Sequence, residues 1–86
     1  MNDGARKMIY SPRQLANQLK RLRQQQGWTQ TDLAKRVGLK QATLSHFENY
    51  PESTSLETLF KILQALDIAL ALQIKTPPTT PAEDAW

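Results

Sequence analysis

Two short amphipathic segments joined by a glycine constrain the fold of this chain more than any other feature. The first runs over residues 30–37 and ends at Gly38, and the second begins at about Gln41. Glycine adopts a positive φ at little cost, so the chain can turn at Gly38 within a few residues. Two helices connected in this way cross at a steep angle, and the small side chain of Ala34 leaves room for the crossing. The pattern therefore predicts a steeply crossed pair of short helices.

Capping residues mark the limits of the first two helices. Ser11 is placed as the N-cap of the first helix, with Pro12 at the first helical position and Gln14 able to reach back to the cap. Gly27 ends this helix in a left-handed conformation. Thr29 then caps the second helix, because its hydroxyl can accept a hydrogen bond from the backbone of the first turn. These signals predict one helix before Gly27 and another after Thr29.

Two further helices are predicted after Gly38. The third ends before Pro51, which cannot continue a helix. Thr54 and Glu57 have the spacing of a capping box and predict the start of the fourth. Residues at helical spacing predict the apolar faces of the four helices, which are Leu15, Leu19 and Leu22; Leu33, Ala34 and Val37; Leu44 and Phe47; and Leu56, Leu59, Phe60, Leu63 and Leu66.

The residues that follow Asp67 have the period of a strand. Four apolar residues alternate there with alanine or glutamine: Ile68, Leu70, Leu72 and Ile74. The alternative is that the fourth helix continues, since alanine and leucine are good helix formers. The strand is favoured because β-branched residues bracket the run. A lone strand has no partner in this chain, so we expect it to pair with the same strand of a second copy.

Composition narrows the functions open to such a chain. It has no cysteine and one histidine, His46, so neither a zinc site nor a thiolate or Ser–His–Asp nucleophile can be assembled. The longest apolar run, residues 68–72, is too short to span a bilayer, and no signal-peptide region is recognisable. We therefore expect a cytoplasmic binding module without catalytic activity, metal, cofactor, small-molecule substrate or membrane partner.

Charge is distributed unevenly along the chain. Residues 1–50 carry nine basic and three acidic residues, whereas residues 51–86 carry two basic and five acidic ones. A basic half favours a polyanion as one partner and leaves the acidic half for another. The alternative is an ordinary solvated surface on which the asymmetry has no function.

The outward face of the third predicted helix is polar but mostly uncharged. It comprises Lys40, Gln41, Ala42, Ser45, His46 and Asn49. Solvated helix faces are usually rich in glutamate and lysine, whereas this composition suits the base edges of a DNA major groove. Lys40 stands where an N-cap acceptor is expected and offers none. A local rule broken at such a place indicates a functional site.

These features resemble the phage-repressor (Cro/cI-type) helix-turn-helix family over the segment from about Leu15 to Leu66. Five residues occupy the positions of its motif: Gln30, Ala34, Gly38, Leu44 and Phe47. The resemblance implies a mostly α, lambda-repressor-like domain of four to five helices, to which the predicted C-terminal strand is added. It also implies a partly buried ion pair between Arg23 and Glu48 beneath the first and third helices.

Nearly the whole chain resembles, more closely, the HipB-type antitoxins. The similar stretches are IYSPxQLAN at 9–17, GWTQ at 27–30, KQAT at 40–43, FEN at 47–49, and the C-terminal tryptophan. This resemblance implies a homodimer that binds double-stranded operator DNA, represses its own operon and neutralises a HipA-type Ser/Thr kinase toxin. The tail before the tryptophan departs most from the family pattern.

Each candidate residue receives a role under this interpretation. Gln41, Ala42 and Ser45 are expected to read base edges, with Lys40 and His46 beside them. The residues expected to hold the DNA backbone are Gln30, Thr43 and Asn49. His46 has a solvated helix position as its alternative, and Trp28 is predicted to be a core residue with a stacking platform as its alternative.

The resemblance, together with the capping, glycine and proline residues of the chain, predicts three parts. Residues 1–8 form a flexible N-terminus, residues 9–75 the helix-turn-helix domain for DNA binding and dimerisation, and residues 76–86 a disordered tail stiffened by prolines. The tail ends in Trp86, which is predicted to contact the toxin. Two alternative functions remain open, namely a stand-alone phage-type repressor without a toxin and a protein–protein adaptor of the same fold.

Overall fold

A computed structural model of the chain describes residues 8–74. Four α-helices follow one another, with a 3₁₀ turn before the last: α1 (Pro12–Gln25), α2 (Gln30–Val37), α3 (Gln41–Asn49), the turn Pro51–Ser53, and α4 (Leu56–Ala65). The predicted mostly helical fold with four helices is therefore confirmed. The predicted tail 76–86, with Trp86, and nearly all of the predicted N-terminal segment 1–8 lie outside the described residues, so the three-part division stays a prediction.

The predicted start of α1 is confirmed in its hydrogen bonds. The Ser11 hydroxyl accepts from the backbone N–H of Gln14 at 3.1 Å, and Pro12 opens the helix. The Gln14 amide oxygen accepts from the backbone N–H of Tyr10 at 2.7 Å, one residue before the cap Ser11 to which it was predicted to reach. Gly27 follows the end of the helix with a φ of +79°, a left-handed conformation that glycine adopts without strain. Local sequence alone thus determines both ends of α1.

A reciprocal capping box opens α2. The Thr29 hydroxyl accepts from the backbone N–H of Asp32 at 3.0 Å, and the Asp32 carboxylate accepts from the backbone N–H of Thr29 at 2.9 Å. The backbone N–H of Thr29, and after it the Thr29 side chain, lowers the pKa of the Asp32 carboxyl below its ordinary value by hydrogen bonding to the carboxylate. Gly38 ends the helix at a φ of +83° and turns the chain towards α3.

The predicted cap of α4 is wrong by one residue. Ser55, not Thr54, is the N-cap, and its hydroxyl accepts from the backbone N–H of Thr58 at 3.1 Å. Thr54 instead closes the 3₁₀ turn, since its backbone N–H donates to the carbonyl of Pro51. Because the turn occupies Thr54, the helix begins one residue later than the Thr54–Glu57 spacing predicts.

All four helices contribute residues to one core. It consists of Ala16 and Leu19 of α1, Leu33 and Ala34 of α2, Leu44 and Phe47 of α3, and Ile62 and Leu63 of α4. Two residues predicted for the core face of α4 are instead exposed, Leu56 by 71% and Phe60 by 49%. They lie one turn apart on the side of α4 turned away from the buried Ile62, which the sequence pattern overlooked. The apolar stripe of α4 is therefore wider than the core that covers it.

The segment after α4 is neither helix nor strand among the described residues. The alternative of a continued helix is wrong, because α4 ends at Ala65 and Asp67 takes a positive φ of 60°. Ile68 packs partly against the core, whereas Leu70, Leu72 and Ile74 are exposed. A strand needs a hydrogen-bonded neighbour, and one chain by itself offers none here. The predicted strand therefore stays a prediction.

Within residues 8–74, no helix combines the length and the apolar character needed to cross a bilayer.

Candidate nucleic-acid interface

One side of α3 is exposed along its whole length. Lys40, Gln41, Ala42, His46 and Asn49 are exposed. Thr43 and Ser45 are partly buried, while Leu44, Phe47 and Glu48 face the interior. The seven residues of α3 and its N-cap that were predicted to meet DNA therefore have accessible side chains on the helix that would enter the groove. Lys40 is the N-cap of α3 and makes no side-chain capping hydrogen bond, as its sequence predicts.

A chain of polar contacts links the interior to this exposed face. The Arg23 guanidinium and the Glu48 carboxylate form two contacts, Nε to Oε2 at 2.8 Å and Nη2 to Oε1 at 3.2 Å. The Gln30 amide then donates to Glu48 Oε1 at 2.9 Å. At the exposed end, the Gln41 amide donates to Gln30 Oε1. The side chain expected to read a base is thus oriented by a network that begins at a buried ion pair.

The ion pair itself is almost completely withdrawn from solvent. The side chains of Arg23 and Glu48 are 8% and 4% exposed. Arg23 Nη1 also donates to the carbonyl of Trp28 at 2.7 Å, so the guanidinium is bonded on several sides. Removing one partner of such a buried pair is strongly destabilising, because the other charge then stays buried without a counter-charge. The pair therefore fixes α1, the start of α2 and α3 relative to one another.

Side chains near the C-terminal end of α3 are bonded to one another. The Asn49 amide donates to the Ser45 hydroxyl at 3.2 Å. His46 Nε2 lies 2.7 Å from the Ser53 hydroxyl, which donates its own hydrogen to the carbonyl of Tyr50. The imidazole tautomer decides which of the two groups donates in this hydrogen bond. The imidazole is therefore held by the protein and not merely solvated.

Trp28 is partly buried and packs against the core, as predicted. The guanidinium of Arg36 lies over its ring, 4.0 Å from the centroid. A cation–π contact at an exposed site stabilises by about 0.5–1 kcal/mol. This contact covers one face of the ring, so a stacking role for Trp28 gains no support. Arg36 thus has a specific structural contact.

Arg13 is a residue of the site that the sequence did not reveal. Its guanidinium donates to the backbone carbonyls of Glu48 at 3.0 Å and of Asn49 at 2.6 Å. The one sequence signal was a basic residue in the first turn of α1, where the helix dipole disfavours positive charge. Among residues 8–74, no cluster of His, Asp or Glu is arranged to hold a metal ion.

Comparison with known proteins places this geometry in a family. The helix-turn-helix family HTH_3 matches residues 19–73. The antitoxin HipB of Escherichia coli O6:H1 is 62% identical over 64 residues, which are 74% of this chain and 68% of that protein. The solved HipA-HipB-O2-O3 complex contains a chain with a TM-score of 0.79 and 55% identity. The solved HipB-O4 20mer complex contains a chain with a TM-score of 0.78 and 55% identity. Each match covers 83% of this chain and all of the solved chain.

Proposed function

The chain belongs to the helix-turn-helix family and, within it, to the relatives of the antitoxin HipB, and from that premise we propose that it is a dimeric, DNA-binding antitoxin. It represses its own operon in the cytoplasm and binds a HipA-type Ser/Thr kinase toxin. The observation that carries the proposal is the exposed, mostly uncharged face of α3, whose Gln41 is tied through Gln30 to a buried ion pair. Solved complexes of HipB with O4 DNA and with HipA support both partners.

Base recognition belongs to the N-terminal half of α3. Gln41 and Ala42 are exposed at its first turn, and Ser45 follows on the same side one turn later. A glutamine amide can bond adenine at two positions, and an alanine methyl can meet the methyl group of thymine. Lys40 and His46 flank these residues. In this arrangement α3 enters the major groove and reads a short half-site.

Contacts to the DNA backbone hold α3 in register. Gln30 stands at the start of α2, where backbone N–H groups and the helix dipole favour a phosphate. Thr43 and Asn49 flank the base-reading side chains on α3. Phosphate contacts position a protein on DNA without reading its sequence. Gln30 therefore has two tasks, because its amide also orients Gln41.

Exchanging Gln41 for alanine distinguishes base reading from the sequence-independent attraction of basic residues to the DNA backbone. We expect Gln41→Ala to weaken binding to the operator by about 1–3 kcal/mol and to relax the preference at one base position. Lys20→Ala, the matched control on the exposed side of α1, should weaken binding to all sequences alike and flatten the salt dependence. Fluorescence anisotropy with operator and random duplexes measures both effects. Equal losses on the two duplexes for Gln41→Ala would remove Gln41 from the base-reading residues.

Dimerisation uses the apolar residues that the single chain leaves exposed. The residues after α4 that we assign to a strand paired across the dimer are Ile68, Leu70, Leu72 and Ile74. Leu72 is 98% exposed, and one face of α4 exposes Leu56 and Phe60. Exposed apolar surface of this extent is typical of an interface. A symmetric pair of chains would present two copies of α3 about 34 Å apart, one turn of DNA, or a multiple of it.

Toxin binding is assigned to the C-terminal tail, which lies outside the described residues. Its prolines favour a semi-extended spacer, and Trp86 is an aromatic anchor at the end of that spacer. Tryptophan is among the residues that most often dominate an interface. Glu83 and Asp84 add negative charge, which would complement a pocket with a basic rim.

Deleting residues 76–86 tests this assignment. We expect the truncated protein to fold and bind its operator as the full chain does, and to bind the toxin more weakly. Binding to the purified kinase, measured by calorimetry, would show this loss of affinity. An unchanged affinity would mean that the tail is passive. A lowered melting temperature of the free dimer would instead mean that Trp86 packs on its own domain.

A further inference from the structure

The C-terminal end of α3 is held by a residue from the first turn of α1. The exposed Arg13 lies in the first turn of α1, 36 positions before Asn49. Its two terminal nitrogens donate to the carbonyls of Glu48 and Asn49, at 3.0 and 2.6 Å. Carbonyls in the last turn of a helix have no partner within that helix. Arg13 therefore supplies a bidentate C-terminal cap from another helix.

The charge of Arg13 is unfavourable for its own helix and favourable for α3. The first turn of α1 contains no acidic residue, and a cation there faces the positive end of the helix dipole. The same cation lies at the negative end of α3, where it stabilises the helix. The placement of this arginine is thus explained by α3 and not by α1.

Glu48 is consequently held from two directions. Its carboxylate accepts hydrogen bonds from Arg23 and Gln30, and its backbone carbonyl accepts one from Arg13. The start of α3, which lacks a side-chain cap at Lys40, is joined to α2 through Gln41 and Gln30. The two ends of α3 are therefore held by different helices.

We propose that Arg13 is a positioning residue for DNA recognition, which sets the angle of α3 by clamping its C-terminal carbonyls. The inference rests on the proposed function, because a tilt of α3 matters through the bases that Gln41, Ala42 and Ser45 reach. The clamp needs the planar fork of a guanidinium, since a lysine ammonium is a point charge that cannot bond both carbonyls with the same fixed geometry. It does not require Arg13 to touch DNA.

The test compares Arg13→Lys with Arg21→Lys. Both exchanges keep the charge on an exposed position of α1, but Arg21 donates to the side chain of Gln18 in its own helix. We expect Arg13→Lys to lower affinity for the operator by about tenfold, with unchanged affinity for random DNA and an unchanged salt slope. Arg21→Lys should leave all three quantities as in the wild type. If Arg13→Lys binds the operator like the wild type while Arg13→Gln weakens operator and random DNA equally and flattens the salt slope, Arg13 is a phosphate contact and the proposal is wrong.

A second measurement judges the clamp without DNA. Hydrogen exchange of the backbone amides in the last turn of α3 should become faster in Arg13→Lys and stay unchanged in Arg21→Lys. Only the Arg13→Lys substitution releases the carbonyls of Glu48 and Asn49. Equal exchange rates in the two variants would overturn the proposal. If instead exchange responds as expected but the wild-type protein shows no preference for any DNA, the proposed function fails while the clamp stands.

Discussion

Replacing Glu48 with glutamine should lower the free energy of unfolding by about 3–5 kcal/mol. Glutamine has nearly the shape of glutamate, so packing is preserved, while the charge and one of the two acceptor oxygens are lost. The Arg23 guanidinium would then be buried without a counter-charge, since the carboxylate that it contacts at 2.8 Å would be gone. Small domains unfold with about 5–15 kcal/mol, so a loss of this size would leave the fold marginal.

An exposed ion pair in the same chain provides the control. Lys61 Nζ and Glu57 Oε2 lie 3.8 Å apart on the surface of α4, one turn from each other. Glu57→Gln removes the same charge in solvent, where such pairs contribute about 0–1 kcal/mol. Urea unfolding at one fixed protein concentration compares both variants with the wild type, because dimerisation makes apparent stability depend on concentration. If Glu48→Gln unfolds at the wild-type midpoint, the buried pair has no structural role.

Leu70→Asp should convert the dimer into a monomer. Leu70 lies at the centre of the alternating apolar residues after α4, so a carboxylate there would be buried against the second copy without a partner. Loss of the dimer also removes the simultaneous engagement of two half-sites, and operator affinity should fall by about a hundredfold or more. Leu70 is already 48% exposed in the single chain, so the fold of the monomer should tolerate the exchange.

Gln73→Asp is the matched control for that exchange. It introduces the same charge in the same segment but on the opposite side of the alternation. Sedimentation at micromolar concentration should show a dimer for the wild type and for Gln73→Asp, and a monomer for Leu70→Asp. A dimeric Leu70→Asp, or a monomeric wild type, would refute the assignment of this segment to the interface.

Features that depend on neighbouring residues could be predicted from the sequence. The caps at Ser11 and Thr29 and the left-handed turns at Gly27 and Gly38 each involve atoms within a few positions. The start of α4 was missed by one residue because Thr54 and Ser55 both offer a hydroxyl three residues before a possible partner. The 3₁₀ turn that decides between them was not visible in the pattern.

Features that depend on distant residues were harder to predict. Periodicity identified the apolar stripe of α4 but not which part of it the core covers, so Leu56 and Phe60 were assigned to the interior and Ile62 was overlooked. The contact of Arg13 with α3 joins residues 35 and 36 positions apart and requires the two helices to approach each other. The Arg23–Glu48 pair also joins residues that are far apart in the sequence, and it was expected only because a family resemblance implied it.

We propose that this chain recognises a particular DNA sequence through two copies of α3. A gel shift and footprint with the DNA upstream of its own reading frame, against a scrambled duplex of equal length at the same salt concentration, tests this proposal. We expect a preference of about a thousandfold or more for the upstream DNA. We also expect protection of a palindrome whose half-sites lie about one helical turn, or a whole number of turns, apart. Equal affinity for the two duplexes, with no protected site, would contradict it and favour a protein–protein adaptor.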